Sequence, residues 1–379
     1  MGPNPLLGVV FHWLGGLSSG SCYLPFRGIK RWSWETYWLL QGVVSWIVAP
    51  ILIGTLFVPG LSQILHQSPA RSLALAYFWG FMWGFGGLTF GLSVRYLGQS
   101  LGYAIALGLT AAFGTLMPPL FSGELGSIAA ELPGQVILLG VAICLFGIVL
   151  TGMAGRRKEK ELSSEEKTGA IKEFNFGKGL MVAIFAGVMS ACFAYGLAAG
   201  KPIAQIAKES LLKNGRADLW QNLPVLVVVL LGGFTSNFIW SIVLIVRNRT
   251  AVEYLGLPSA RALPATSLGA AAATPARLGS RILTANYLLS ISTGLMWYFQ
   301  FFFYSMGQTK MGKYDFSSWT LHMASIIIFS TLWGVFLNEW KGSSRRTHFL
   351  VAWGLGVLVL STVVVGLGNY LKVVSILHF

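Results

Sequence analysis

Residues 286–323 read NYLLSISTGLMWYFQFFFYSMGQTKMGKYDFSSWTLHM, two apolar runs joined by a short polar connection. Because an α-helix repeats every 3.6 residues, polar side chains three or four residues apart predict a helix with one polar stripe. In the second run Asp315, Ser318 and His322 follow that spacing, so a carboxylate and an imidazole share a stripe. In the first run the stripe consists of Asn286, Ser290, Thr293, Trp297, Gln300 and Tyr304.

The composition indicates a membrane protein. Of 379 residues, 54% are hydrophobic and only 11% are charged, and the mean hydropathy is +0.66. Soluble domains carry about 25% charged residues. Ionisable groups on a membrane helix are costly unless they face protein or a water-filled cavity, and they mark transport paths. The 286–323 stretch is therefore the first candidate for a functional site.

Ten apolar runs are long enough to cross a bilayer, which needs about 20 residues per helix. We therefore expect an all-α integral membrane protein with ten transmembrane helices. The predicted spans are 5–26, 36–58, 72–94, 98–120, 133–153, 178–200, 222–246, 282–307, 314–337 and 347–370.

The distribution of Lys and Arg predicts the orientation. Nineteen basic residues lie in the odd-numbered connections and eight on the other side. Since basic residues are retained in the cytoplasm, the odd connections are expected there and both termini are expected outside. The same placement argues against nucleic-acid binding as the reason for the net charge of +14.

A charged segment divides the chain into two halves. Residues 154–177, with mixed charges, are expected to form a cytoplasmic linker between a first five-helix unit (1–153) and a second (178–379). A segment rich in Ala and Pro within 250–280 is expected to be flexible.

Weak internal similarity relates the two halves. The alignment places Gly16 with Gly187, Ser19 with Ser190, and FMW at 81–83 with LMW at 295–297. Since each half has an odd number of spans, the two copies must cross the membrane in opposite directions. Inverted repeats of this kind place binding sites near the midplane, at the interface between the repeats.

Four segments resemble the bacterial L-rhamnose/proton symporters of the drug/metabolite transporter superfamily. They are HxxGxxSxxxxYxPF followed by KRWSWET (12–36), RYLGQSLGYAIALGLTAAFGTLMPP (95–119), GLMWYFQFFFYSMG (294–307) and YDFSSWTLHM (314–323). The resemblance covers nearly the whole chain. It implies ten helices in two inverted five-helix repeats and uptake of L-rhamnose with H+. The linker, the Ala/Pro-rich insertion and the N-terminus depart from the family pattern.

Four side chains are candidates for proton handling. His12 and His322 lie about seven and eight residues into their spans, which places both about 10–12 Å below the outer surface. Histidine exchanges a proton near neutral pH, although a hydrogen-bonded structural role is the alternative for each. Asp315 is a further candidate, with helix capping as the alternative. Glu35, beside Arg31, is the fourth, with an interfacial ion pair as the alternative.

A deoxysugar needs hydrogen-bonding groups for its hydroxyls and apolar surface for its ring face and methyl group. The alternative roles of such side chains are tyrosine or tryptophan belts at the membrane interface and hydroxyl bonds to the helix's own backbone. The predicted sugar contacts are Ser19, Tyr23, Asn286, Thr293, Trp297, Gln300, Tyr304 and Ser318.

Other function classes have less support in the sequence. Cys22, Cys144 and Cys192 lie in apolar runs, so no metal site or cofactor is expected. Residues 16–20 match the G-x-S-x-G motif of serine hydrolases, but a nucleophile elbow requires a strand-to-helix turn. A channel would show a filter repeat or a ring of carboxylates. A transporter of the same fold with another substrate, or with Na+ coupling, remains the principal alternative. The oligomeric state is open.

Overall fold

The computed structural model describes residues 2–97, 99–161, 176–259 and 277–377, and within these ranges it contains helices but no strand. We number the helices in chain order. They are α1 Pro5–Ser21, α2 Trp34–Phe57, α3 Leu61–Gln67, α4 Ala70–Leu97, α5 Gln99–Phe121, α6 Leu125–Ala130, α7 Leu132–Glu161, α8 Phe176–Ala199, α9 Lys201–Lys213, α10 Leu223–Asn248, α11 Ser280–Lys310, α12 Ser318–Phe336 and α13 Arg345–Leu377. Most of the 154–177 linker and of the Ala/Pro-rich insertion lies outside the described residues.

Seven helical segments within the described ranges are long and apolar enough to cross a membrane. The structure is therefore that of an α-helical, multi-pass membrane protein, as the composition predicted. The seven segments are Trp34–Phe57, Ala70–Phe90, Leu132–Lys158, Gly177–Ala199, Asp218–Asn248, Gly312–Phe336 and Arg345–Ser375.

Local sequence explains how α1 begins. The Asn4 side chain accepts a hydrogen bond from the Leu7 backbone N–H at 3.1 Å, which satisfies one of the free donors of the first turn. Pro5 occupies the first helical position, where its missing N–H is not needed. The start of α1 agrees with the predicted start of the first span at residue 5.

A π-helical turn, Val44–Val48, interrupts α2. Pro50 follows it and has no N–H to donate to the preceding turn, and the Ala49 N–H donates to the Val44 carbonyl, five residues back. Such bulges reorient the side chains around them and are frequent at functional sites. Trp46 lies within this turn and is buried.

Buried polar contacts fix the connection between α1 and α2. The Asn286 side chain of α11 accepts from the Lys30 N–H at 3.0 Å and donates to the Lys30 carbonyl at 2.8 Å. Glu35, 2% exposed, accepts from Asn248 at 2.7 Å and from Thr250 at 3.3 Å. These bonds join the start of α2 to α11 and to the end of α10.

Candidate functional site

A cavity of about 710 Å³ lies between the two halves of the chain. That volume is within the range of small-molecule sites. Helices of both halves line it, because α1, α2, α4, α5 and α7 contribute side chains together with α8, α10, α11 and α12. Its central lining residues are Ser19, Tyr23, Trp38, Trp46, Trp83, Thr110, Ser190, Asn237, Trp297, Gln300, Phe301, Trp319 and His322.

Aromatic rings form much of the cavity wall. Trp297 is at the centre, and its ring centroid lies 5.9 Å from that of Tyr23, 5.8 Å from Trp38 and 6.4 Å from Trp46, each in an edge-to-face arrangement. Edge-to-face packing of this kind fixes ring orientation. The wall therefore offers rigid apolar surface that suits the ring face and methyl group of a deoxysugar.

Polar atoms without protein partners occupy the same wall. The Trp297 Nε1 and the Gln300 Nε2 are buried and have no hydrogen-bond partner among the described residues. Buried polar groups are usually paired, so these two donors would gain a partner if a small side-chain rotation turned them towards a ligand in the cavity. The side chain of Asn237 is instead engaged, since its Oδ1 accepts from Trp38 Nε1 at 3.2 Å and its Nδ2 donates to Gly233.

Two histidines and a tyrosine lie together at the deep end of the cavity, away from its mouth. The ring centroid of Tyr304 is 5.3 Å from that of His12 and 5.2 Å from that of His322, and the two imidazoles are 6.5 Å apart. Both histidines are fully buried. His322 lines the cavity, whereas His12 lies behind it.

The other predicted sugar contacts lie in helix interfaces. Tyr304, Asn286, Thr293 and Ser318 are buried and are not among the residues that line the cavity. Asn286 is held by the Lys30 backbone. Half of the eight predicted sugar contacts therefore line the cavity, namely Ser19, Tyr23, Trp297 and Gln300. The buried residues Tyr304, Asn286, Thr293 and Ser318 do not line it.

Exposed side chains mark the cavity mouth, which lies at the end of α1 and of α7 and at the start of the α12–α13 connection. Arg27 forms an ion pair with Glu339 there, with side chains 56% and 42% exposed. Lys158 lies over the ring of Trp340, 5.0 Å from its centroid. The cavity therefore opens on the side of the odd-numbered connections.

Asp315 lies at the opposite end of the protein. It is in the short helix Gly312–Ser317 that precedes α12, and its carboxylate is 3.5 Å from the ammonium group of Lys201. Both line a separate, smaller pocket of about 260 Å³. Asn222 donates to Gln308 at 3.2 Å in the same region. Neither Asp315 nor Glu35 is among the residues that line the large cavity.

A second charged cluster holds this opposite end together. Glu131 pairs with Lys372 of α13 and accepts a hydrogen bond from Tyr314 at 2.8 Å. Lys313 lies 3.4 Å from the same carboxylate. The hydrogen bond from Lys372, followed by those from Tyr314 and Lys313, lowers the pKa of Glu131 to about 2. The Glu131 carboxylate is therefore ionised at neutral pH, and its contacts tie the start of α7 to α13.

The sequence reasoning missed several cavity residues: Trp38, Trp46, Trp83, Trp319 and Asn237. A signal for Trp83 was present, because the internal similarity aligned it with Trp297. Trp46 and Trp319 also lie inside predicted spans, where an interface belt does not explain a tryptophan. The contacts of these rings with one another depend on helix packing and had no signal in the sequence.

The G-x-S-x-G match lies within α1 and not at a strand-to-helix turn. The Ser18 hydroxyl donates to the Met296 carbonyl of α11 at 2.8 Å. Ser19, one residue on, lines the cavity. Ser18 therefore has a packing role at the α1–α11 interface.

Comparisons with known proteins identify the family of this chain. Residues 1–370 match the profile of the family described as L-rhamnose-proton symport protein (RhaT). The chain is 34% identical over 363 residues to the L-rhamnose-proton symporter of Cronobacter sakazakii, which covers 96% of this chain and 97% of the relative. It is 32% identical over 364 residues to that of Yersinia pestis, covering 96% and 98%. The chain belongs to the L-rhamnose-proton symport protein family.

Proposed function

We propose that this chain takes up L-rhamnose together with H+ across a bacterial inner membrane. The observation that carries the proposal is the central cavity, in which tryptophan rings lie beside the unpaired donors of Trp297 and Gln300. Ser19 and Tyr23 line the same cavity, so hydroxyl partners and apolar ring surface are both present. The family is one of symporters, so the chain is a transporter and not an enzyme.

One coupled proton supplies enough free energy. At a membrane potential of about 150 mV, one positive charge moving inward releases about 3.5 kcal/mol. Since 1.36 kcal/mol corresponds to a tenfold ratio, this supports an accumulation of a few hundredfold.

The ten predicted spans and their arrangement as two inverted repeats, 1–153 and 178–379, form part of the proposal. Each predicted span overlaps a helix of the structure. The packing is also consistent with a repeat, because α1 packs against α11 and α12 while α8 packs against α4 and α5. The spans that contain α1, α4 and α5 are the first, third and fourth, and those that contain α8, α11 and α12 are the sixth, eighth and ninth, so the pairs correspond.

The aligned glycines support the same relation. A Cβ on Gly16 would lie 2.2 Å from the Ser325 Cβ of α12, and a Cβ on Gly187 would lie 2.6 Å from the Leu109 Cβ of α5. Small residues permit such close helix approach in membranes. Equivalent glycines thus serve equivalent interfaces in the two halves.

The orientation completes the proposal. With the odd-numbered connections in the cytoplasm, the cavity mouth at Arg27 and Glu339 faces inward, and the Lys201–Asp315 pair lies at the closed, outer end. In this arrangement the structure has the form of a transporter open to the cytoplasm.

Reporter fusions test the orientation. Fusions after Lys30 and within 154–177 should report the cytoplasm, and a fusion at Phe379 should report the periplasm, because 19 of the 27 basic residues lie on the first side. A cytoplasmic signal from the Phe379 fusion would contradict the orientation.

Counterflow in proteoliposomes tests the function. Vesicles preloaded with L-rhamnose should take up labelled L-rhamnose, and a panel of other 6-deoxyhexoses, hexoses and polyols should compete less well. An imposed pH gradient should drive accumulation, whereas a Na+ gradient without a pH gradient should not. Counterflow of a different sugar, or accumulation driven by Na+ alone, would contradict the proposal.

A further inference from the structure

We infer that His12 and His322 together form the binding site of the coupled proton, and that His322 links the proton to the sugar. This inference rests on the proposed function and specifies which side chains perform the coupling. The observations that carry it are the geometry of the two imidazoles, their lack of other partners and the position of His322 in the cavity wall.

The two imidazoles lie close together at the meeting point of α1, α11 and α12. Their ring centroids are 6.5 Å apart, with the Tyr304 ring between 5 and 6 Å from each. All four ring nitrogens are buried, and none has a hydrogen-bond partner in the part of the chain that the structure describes. A structural histidine would normally be satisfied by such a partner.

Glycines on the facing helices make the space for these rings. A Cβ on Gly307 of α11 would lie 2.7 Å from the His12 Nε2, and a Cβ on Gly15 of α1 would lie 3.3 Å from the His322 Cε1. Each imidazole therefore packs against a helix backbone at a glycine, and at Gly307 a Cβ would clash with the His12 ring. The position of each ring is fixed by the packing, although its nitrogens have no partner.

A pair of imidazoles can accommodate one proton better than a single buried imidazole. A neutral imidazole has one donor and one acceptor nitrogen, and a protonated imidazole has two donors. When one ring is protonated, its N–H groups have two nearby acceptors, which are the acceptor nitrogen of the other ring and the Tyr304 hydroxyl. Small movements of the rings would bring these groups within hydrogen-bond distance. The step is the addition of H+ to a nitrogen lone pair, and the same N–H bond breaks when the proton leaves to water.

His322 gives the proton a route to the sugar. It lines the cavity beside Gln300 and Trp297. A small rotation that turns one of its buried nitrogens towards the cavity would let the protonated ring donate to a sugar hydroxyl. A donor that carries charge makes a stronger hydrogen bond than a neutral donor. Sugar and proton then each increase the affinity for the other by the same factor, on the order of ten- to a hundredfold for one such bond.

The location of Asp315 makes it a weaker candidate for this role. Its carboxylate pairs with Lys201, whose side chain is 65% exposed, at the other end of the protein. Asp315 lines the small outer pocket and not the sugar cavity. Neither Asp315 nor Lys201 is among the residues that line the sugar cavity, so a bound sugar would not touch either of them.

The experiment compares two transport measurements on the same proteoliposomes. L-rhamnose counterflow requires binding and exchange but no net proton movement, whereas sugar-dependent H+ uptake and accumulation driven by a pH gradient require coupling. The variants are His322→Gln, His12→Gln and Asp315→Asn, with His66→Gln as the matched control because His66 is an exposed histidine on α3.

We expect both His322→Gln and His12→Gln to lose sugar-dependent H+ uptake. Counterflow should persist in both at saturating L-rhamnose, but His322→Gln should need a higher half-saturating sugar concentration, because it loses the charged donor to the sugar. A pH gradient of one unit, which can drive about tenfold accumulation in the unmodified protein, should then give equal sugar concentrations on both sides. His66→Gln should behave as the unmodified protein does.

Three results would overturn the inference. The first is proton uptake at the unmodified ratio in both histidine variants. The second is loss of uptake in Asp315→Asn with retention in the histidine variants, which would assign the proton to the carboxylate. The third is loss of counterflow in both histidine variants even at saturating L-rhamnose, which would show that the rings hold the fold. Absence of rhamnose counterflow in the unmodified protein would instead contradict the proposed function.

Discussion

Replacement of Gly80 by valine is expected to prevent accumulation of folded protein in the membrane. Gly80 lies on α4, where a Cβ would be 2.0 Å from the Val229 carbonyl oxygen and 2.8 Å from its carbonyl carbon, both in the α10 backbone. A backbone cannot rotate away as a side chain can, so α4 and α10 would have to separate. Overpacking of an interior costs about 1–3 kcal/mol even where side chains can adjust, and this site is less able to adjust.

The matched control is Gly356→Val on α13. Gly356 is exposed on the surface of a long apolar helix, and apart from its own stretch of that helix no heavy atom of the described residues comes within 4 Å of its Cβ position. The measurement is the amount of monodisperse protein extracted in detergent and its thermal unfolding midpoint. Folded protein at the same yield and midpoint in both variants would contradict the close α4–α10 packing.

Replacement of Trp297 by alanine is expected to weaken L-rhamnose binding by tenfold or more, which corresponds to at least about 1.4 kcal/mol. Trp297 contributes its ring surface and its unpaired Nε1 donor to the cavity wall. Its removal also takes away the edge-to-face contacts that hold Tyr23, Trp38 and Trp46 in place. The measurement is the half-saturating sugar concentration for counterflow.

Two further variants separate the contributions to this effect. Trp297→Phe keeps an aromatic ring but removes the N–H donor, so it should lie between the alanine variant and the unmodified protein. Trp240→Ala removes the same residue type from the exposed face of α10 and should leave the half-saturating concentration unchanged. A Trp297→Ala variant with unaltered half-saturation would exclude this ring from the sugar site.

The polar stripe in residues 286–323 was a reliable guide to the site only in part. Trp297 and Gln300 of the stripe line the cavity, together with His322 of α12, and their contact with a sugar stays a prediction. Asn286, on the same stripe, instead binds the backbone of Lys30. A stripe extends over the whole height of a helix, whereas a cavity occupies only part of it, so helical spacing alone cannot separate ligand contacts from packing contacts.

The sequence pattern also did not show which polar groups lie in the cavity wall and which lie at the opposite end of the protein. The sequence spacing predicted one helical stripe for Asp315 and His322. In the structure Asp315 lies in the short helix Gly312–Ser317 and contacts Lys201, whereas His322 of α12 lines the cavity. The two turns that separate them correspond to about 10 Å of rise. That distance is enough to place one group at a closed end and the other in the cavity wall.

The sequence by itself determined that this is a helical membrane protein, because apolar runs of bilayer length can satisfy their backbone groups only within the helix. Its motifs indicated the family. Tertiary structure alone decided which tryptophans enclose the cavity, which end opens and that His12 meets His322. Those properties depend on contacts between residues far apart in the chain, which form only when the helices pack closely at their glycines. For Trp46 the position of the ring also depends on the π-helical turn that contains it.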